Sequence, residues 1–377
     1  MNTHPTPRTV PTVGVEEEFL LVDRRTRLPV ARASQVLAAA SAVLDDQVQP
    51  EIFQVQVETT SRPALRLKEL ADDLARMRAV LVAAAADADC LLIASGTPVL
   101  PGPDPAVLTD NPRYRLMAAR YPSAADGNCG ALCGCHVHLG TLERGLALAL
   151  GNRLRPWLPV LQALTVNSPF DAGRDSGFAS WRDVRWSRWP TVGAAPLVDE
   201  RGYERRADAL VARGTLLDRR MIYWYTRPSE HVPTLEVRVS DVSADLGNVL
   251  LLAGLLRGLG AVLLDEARAG LPPPAVPHGR LAAAHRRAAQ TGPVGEGIDP
   301  FTGWPVPMPA LVDRLLERAA PGLSAAGDLA AVEAGLDRLR RLGSGAERQR
   351  RDFRVRECPH DVIDGLARLT AAVTPHG

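Results

Sequence analysis

The sequence predicts an α+β fold in which an antiparallel sheet is backed by helices, and three observations carry that prediction. TVGVEEEFLLV, IFQVQVETT, GALCGCHVHLG and PTLEVRVSDV alternate polar and apolar residues with the two-residue period of a strand. LKELADDLARMRAVLVAA and the apolar run at 245–270 are instead long and helical in pattern, as is most of the final third. Each of the four strand-like segments also presents one face made of Glu, Gln, His or Arg.

Taken in order, residues 12–22 read as a strand followed by a turn at DRRTRLPV, and 33–46 as a helix. IFQVQVETT is a second strand, closed by Pro63 before a helix from about Leu65 to Ala88. LLIASGTPVLP runs as a short buried strand into a Pro-rich loop. GALCGCHVHLG is another strand, and 143–165 reads as one helix that tolerates Pro156. The stretch at 168–193, polar and rich in Gly and aromatics, is too long for a mere connector and reads as a lid or binding loop. MIYWYTRPS and PTLEVRVSDV supply two more strands, 245–270 a buried helix, and about 270–377 a helical part with Pro/Gly punctuation. No repeat and no clean boundary divides the chain, so 1–377 is expected to form one domain behind a loose N-terminus at 1–11.

Composition narrows the function. Charges balance to a formal +1 over 377 residues, so no global field draws the chain to nucleic acid or an anionic membrane, and a small-molecule substrate fits better. Val249–Leu264, the longest apolar stretch, is shorter than a membrane span and contains Arg257, which points to a buried helix. The five cysteines do not resemble a disulfide framework, and MNTHPTPRTVPTV lacks the apolar core of a signal peptide; a reducing cytoplasm is expected. Lys68 is the only lysine and lies in a helical pattern without a Gly-rich loop. P-loop and pyridoxal chemistries, which need an essential lysine, are therefore disfavoured, and any phosphate must be met by arginine, backbone or metal.

Strand parity aligns Glu16 with Glu18, Gln54 with Gln56 and Glu58, His136 with His138, and Glu236 with Arg238 and Ser240. These could be ordinary half-exposed strands with charges facing water. Clustered carboxylates destabilise a sheet unless something neutralises them, however, and Glu oxygens with an imidazole suit magnesium or manganese. His138 could equally be a satisfied sheet residue. A zinc reading of Cys129, Cys133, Cys135 and His136 lacks a CxxC pair, and G-R-D-S-G at 173–177 is not a nucleophile elbow.

GVEEEF (14–19), VET (57–59), GCHVHLG (134–140), NSPFDAGRDSGFASWR (167–182), RPS (227–229) and TLEVRVSD (234–241) occur in that order. Together they resemble the type 2 glutamate-cysteine ligase family, whose bacterial members include the YbdK-type carboxylate-amine ligases, and GSGAERQR (343–350) continues the similarity. The resemblance implies a glutamine-synthetase-like domain, a curved antiparallel sheet forming a funnel with helices packed outside. It implies an ATP- and Mg- (or Mn-) dependent, ADP-forming ligase that phosphorylates a glutamate-like carboxylate and lets a cysteine-like or other amine attack the acyl phosphate. By motif position Glu16, Glu18, Glu58, His136 and Glu236 resemble metal ligands, with Glu51 a further one, and Arg238 resembles the arginine that meets phosphate, with Glu236 beside it in the catalytic pair. Arg174, Arg182, Arg227 and Tyr225 are candidate substrate contacts. A homo-oligomer is compatible with the resemblance.

Two positions depart from the family pattern. Tyr225 stands where relatives have an aspartate in W-D-x-R-P-S, and Gln290 where a second arginine is expected. Altered substrate choice is one reading. A catalytically silent relative that binds nucleotide or amino acid in a regulatory role is the other.

Overall fold

The computed structural model describes residues 9–125 and 130–372. At its centre is a seven-stranded antiparallel sheet of β1 (Thr12–Asp23), β2 (Val48–Pro50), β3 (Gln56–Thr60), β4 (Cys90–Ile93) and β5 (Gly134–Gly140), joined, past a hairpin of β6 (Phe170–Asp171) and β7 (Arg174–Asp175), by β8 (Thr226–Pro228) and β9 (Thr234–Asp241). The spatial order is β2, β3, β1, β5, β9, β8, with β4 against the far end of β1. β1 serves three neighbours because of its length. Glu16–Leu20 pair with β3 on one edge, while Thr12–Glu17 pair with β5 and Leu20–Asp23 with β4 on the other.

The helices are α1 (Ala33–Leu44), α2 (Leu67–Asp87), α3 (Pro112–Arg120), α4 (Arg144–Leu154), α5 (Leu158–Leu164), α6 (Trp181–Trp186), α7 (Glu200–Ala212) and α8 (Leu246–Arg268). After them come α9 (His278–Thr291), the hairpin β10 (Glu296–Ile298) and β11 (Pro305–Pro307), then α10 (Met308–Ala326), α11 (Leu329–Leu342), α12 (Gly345–Arg356) and α13 (Pro359–Ala371). Long and apolar enough to cross a membrane, α8 is instead enclosed by protein and packs against α2, α4, α10 and α11. Its Arg257 is buried with an Asp328 partner at 2.5 Å and donates to the carbonyls of Pro11 and Leu65. The part of the expected loose N-terminus that is described is thus tied down at Pro11; residues 1–8 lie outside the described residues.

The alternation of β1 sends Val13, Val15, Glu17 and Phe19 into the core. Glu17 is tolerated there because Arg78 of α2, itself fully buried, meets it at 2.5 Å and donates its remaining N–H groups to the carbonyls of Ser243 and Ala244. A buried carboxylate is acceptable only when paired and hydrogen-bonded in this way. Nothing local to GVEEEF announces that partner.

Several sequence expectations need correction. The helix expected over 143–165 is two, α4 and α5, interrupted at 155–157 around Pro156, because proline lacks the N–H that continues a helix. IFQVQVETT is a strand only from Gln56 onward; Phe53 bridges Leu108 instead, and the Gln54 amide turns to Ser34 and Thr109 rather than joining Gln56 and Glu58. The stretch at 168–193 is not a free loop, since it contains β6, β7 and α6, and both of its arms are fastened to β9. The Asp241 carboxylate accepts from the Asn167 N–H, the Ser168 hydroxyl and the Ser180 hydroxyl at 2.7–2.8 Å. GSGAERQR completes the clasp. Ser344 and Glu347 form a capping box at the start of α12, Gln349 donates to Asn167, Arg348 pairs with Asp245, and Arg350 with Asp175.

Candidate metal and phosphate site

The register of the central strands gathers the polar residues. Glu18 lies across from Glu58, Glu16 across from His136, His138 across from Glu236, and Glu236 across from Arg227. Because side chains alternate and these pairs share parity, all stand on the face away from Phe19 and Val137. Two convergent triads result, Glu16–Glu58–His136 and Glu16–His138–Glu236, each with its ligand atoms within 4.8 Å of one another.

The distances inside the cluster are short. His136 Nδ1 is 3.1 Å from Glu16 Oε2, and His138 Nε2 is 3.2 Å from Glu16 Oε1. His138 Nδ1 faces the Thr234 hydroxyl at 2.8 Å, which orients its ring with Nε2 toward Glu16. His136 Nε2 is buried without a hydrogen-bond partner and lies 3.7 Å from Glu18 Oε1. Glu18 itself accepts the Gly134 N–H, and Glu51 lines a cavity of about 150 Å³ with Glu18, Arg113, Arg182 and Arg238.

Electrostatics separate the carboxylates. Burial pushes Glu58 well above the usual carboxylate range, and Glu16, Glu51 and Glu18 add to the shift. Burial also raises Glu18, with His136 and Arg182 opposing it. Burial acts on Glu16 too, but hydrogen bonds from His136 and His138 outweigh it and hold that group low. For Glu236 the burial penalty is overcome by Arg227 and Arg238, which keep it ionised. Burial and the Arg238 charge lower His136, so the neutral imidazole is favoured, the form that ligates metals.

An orphaned buried imidazole nitrogen, converging carboxylate oxygens and an excess of acid among them together fit a divalent cation of the magnesium or manganese kind. Glu18 and Glu51 stand beside the triads rather than in them. His138, whose sheet role was open, belongs to the second triad; its parity with His136 was the available signal.

The basic residues of the cavity are Arg238, Arg182 and Arg113, the last of them paired with Asp218. Arg238 uses Nη1 on Glu236 and lies 3.4 Å from His136 Nδ1, while its Nε has no partner. Arg182 is 3% exposed, and no ion pair engages its guanidinium among the described residues. It rests over Gly134, where a Cβ would come within 2.4 Å of Arg182 Nη2 and 2.9 Å of His136 Nε2. Glycine is needed there for close approach.

The other expected substrate contacts are placed elsewhere. Arg227 directs Nε and Nη2 to Glu236 and Nη1 to the carbonyls of Arg220 and Ile222, so it braces a carboxylate. Tyr225 is 5% exposed and donates its hydroxyl to Asp183 at 2.7 Å, away from the cavity. Arg174 is exposed on the β6–β7 hairpin, and Gln290 is exposed near the end of α9. Lys68 is exposed on α2 in a pair with Asp72. Cys129 lies outside the described residues; Cys133 and Cys135 are buried, and neither joins a metal-type cluster among the described residues.

The model of glutamate-cysteine ligase family 2 matches residues 12–369. A relative from Saccharopolyspora erythraea, provisionally named glutamate–cysteine ligase 2-1, is 45% identical over 94% of this chain and 93% of its own length. One from Mycolicibacterium vanbaalenii, provisionally named glutamate–cysteine ligase 2-2, is 43% identical over 98% and 99%. Among solved structures, the Francisella tularensis glutamate–cysteine ligase in complex with AMP superposes with a TM-score of 0.72 at 12% identity, covering 98% of this chain and 90% of that one. That likeness speaks to the fold alone, which is α+β and of the glutamine-synthetase-like kind expected from the motifs. Matched over nearly its whole length by the family model and by close relatives, the chain belongs to glutamate-cysteine ligase family 2.

Proposed function

We infer that the chain is an ATP-dependent carboxylate-amine ligase whose polar sheet face binds the polyphosphate of ATP through magnesium or manganese. The observation that carries this reading is the pair of carboxylate–imidazole triads sharing Glu16, joined through the contacts of Glu236 and His136 with Arg238 to a cavity that Arg238, Arg182, Glu18 and Glu51 line. Glu16, Glu58 and His136 would hold one cation and Glu16, His138 and Glu236 a second, with Glu18 and Glu51 adjoining. Cations held by these residues would offset the negative charge that builds up between nucleotide and carboxylate.

The chain's own residues have separable tasks. Arg227 fixes Glu236 from behind and keeps it ionised. Arg238, held beside Glu236, lines the cavity, where its guanidinium would meet the phosphoryl group as it passes to an amino-acid carboxylate. Trp186, Trp189 and Tyr223 wall the same cavity and would keep water from the acyl phosphate before an amine attacks it. Lys68, exposed on α2, has no part in phosphate handling.

The silent-relative alternative rested on Tyr225 and Gln290. Neither lines the cavity, so neither removes a charge from it. The acyl donor is proposed to be glutamate-like, the amine cysteine-like or another small amine, and the compartment a reducing cytoplasm in which the described cysteines stay free. The test is ADP release from ATP in the presence of magnesium, with amino acids and amines supplied in combination and coupled products read by mass spectrometry. Amine-dependent ADP release abolished by a chelator is expected. Nucleotide binding that is indifferent to divalent metal, with no coupled product across the panel, would overturn the reading.

A further inference from the structure

One indole lies under two of the three arginines that line the cavity, Arg182 and Arg238; the third, Arg113, is paired with Asp218. The Arg182 guanidinium carbon is 4.6 Å from the centroid of the Trp186 ring, and that of Arg238 is 5.9 Å from the same ring and 5.8 Å from Tyr223. Two buried guanidinium groups repel each other; Glu236 offsets the charge of Arg238, and the negative face of an aromatic ring within about 6 Å is a means of holding Arg182 beside it without an ion pair of its own. A carboxylate in the same place would also hold them, but would use up the N–H groups that a ligand needs. Here Nε of each arginine remains without a partner, and Arg182 carries no ion pair among the described residues.

The indole is itself fixed. Trp186 is 6% exposed at the end of α6, and its ring meets that of Tyr225 at 5.7 Å and that of Tyr223 at 6.4 Å. Tyr225 is locked in turn by its hydroxyl on Asp183, one residue after Arg182, and its carbonyl accepts the Arg238 N–H at 2.9 Å. Tyr225 thus joins the strand that carries Arg238 to the helix that carries Arg182, with Trp186 between them.

We propose that Trp186 is a positioning residue, whose indole face holds Arg182 and Arg238 as a paired cradle for a tetrahedral phosphoryl group. Trp186 donates no hydrogen bond to that group; it sets the spacing of the two guanidiniums that do. This inference rests on the phosphate reading of the cavity and adds to it the residue that organises the arginines.

The test measures binding of inorganic phosphate to the magnesium-loaded protein by calorimetry, alongside kcat and KM for ATP, in the wild type, Trp186→Phe and Trp186→Leu. Loss of the aromatic face in Trp186→Leu is expected to weaken phosphate binding about tenfold and to lower kcat at least as much, with KM for ATP changed less than about twofold and Phe restoring most of both. A second arm incorporates fluorinated tryptophan, which withdraws charge from the ring while barely altering its size. Phosphate affinity should fall in the wild type and not in the Trp186→Phe background, a response that packing alone does not produce, and one that stands even if Trp186→Leu fails to fold. Equal losses in Phe and Leu, or phosphate affinity insensitive to fluorination, would overturn the proposal. Should the pattern hold for phosphate while no ligase turnover is found, the ligase reading fails and the cradle remains.

Discussion

Glu18 on β1 faces Glu58 on β3 in register, so that two carboxylates stand side by side on a buried sheet face with Glu16 and Glu51 adjoining. Like charges opposed in this way destabilise a sheet, and a cation that binds only the folded chain removes the repulsion and stabilises by mass action. Adding magnesium or manganese to chelator-treated protein should therefore raise stability, by about 2.7 kcal/mol once free metal reaches roughly a hundred times its dissociation constant. Glu58→Gln should raise the metal-free melting temperature and flatten the metal response. Scanning fluorimetry across a metal titration decides the matter; a wild type indifferent to metal, or a Glu58→Gln variant responding like it, would count against a cation at these residues.

Arg238 lines the cavity and engages Glu236 through Nη1 alone, with its Nε left unpartnered. Lysine in its place keeps the ion pair but has no second planar nitrogen for a phosphate oxygen. Arg238→Lys should lower kcat by roughly a hundredfold while the metal midpoint moves little, because the interaction is made chiefly in the transition state. Near-native turnover, or a loss confined to metal affinity, would leave Arg238 as no more than the partner of Glu236.

What the sequence could and could not reveal follows the range of the interactions. Glu16, Glu18, His136, His138, Glu236 and Arg238 were readable as face-sharing sets because strand parity is local. Gln54 was misplaced since the start of β3 is set by a bridge from Phe53 to Leu108, far along the chain. Arg227 belongs to Glu236 through the β8–β9 register, which the RPS motif does not state. The approach of Arg182 to Gly134, and of Trp186 to two arginines, arises only when α6 is clasped onto β9 by Asp241. A 26-residue stretch rich in Gly and aromatics looks like a lid until those long-range bonds are known.

Glu17 and Arg78 form a fully buried pair on the opposite face of β1. Removing one partner strands the other charge in the core, so Arg78→Met should destabilise by about 3–5 kcal/mol. The double variant Glu17→Leu with Arg78→Met removes both charges and should recover most of that loss. Urea denaturation of the two single variants and the double variant gives the coupling; a double variant no better than Arg78→Met would show that the bonds from Arg78 to Ser243 and Ala244, not the ion pair, carry the effect.

Asp183 offers a pH test of the support beneath the cavity. Burial pushes its carboxyl up to about 6, with the Tyr225 hydroxyl and Arg182 working in the opposite direction. The folded chain therefore favours the protonated acid more than the unfolded chain does. The stability this gives is fully present below the unfolded value near 4 and is lost as pH rises through about 6. Asp183→Asn cannot ionise and keeps an oxygen for Tyr225, so it should gain on the wild type between about pH 4 and 6 and hold a constant advantage above that. A shift of about 2 units corresponds to about 3 kcal/mol at most. Because the metal-site carboxylates are common to both proteins, the difference between their urea midpoints from pH 4 to 7 isolates Asp183. A difference that stays flat across that range would mean that Tyr225 and Arg182 keep the carboxylate ionised throughout, and that Asp183 anchors Tyr225 as an anion.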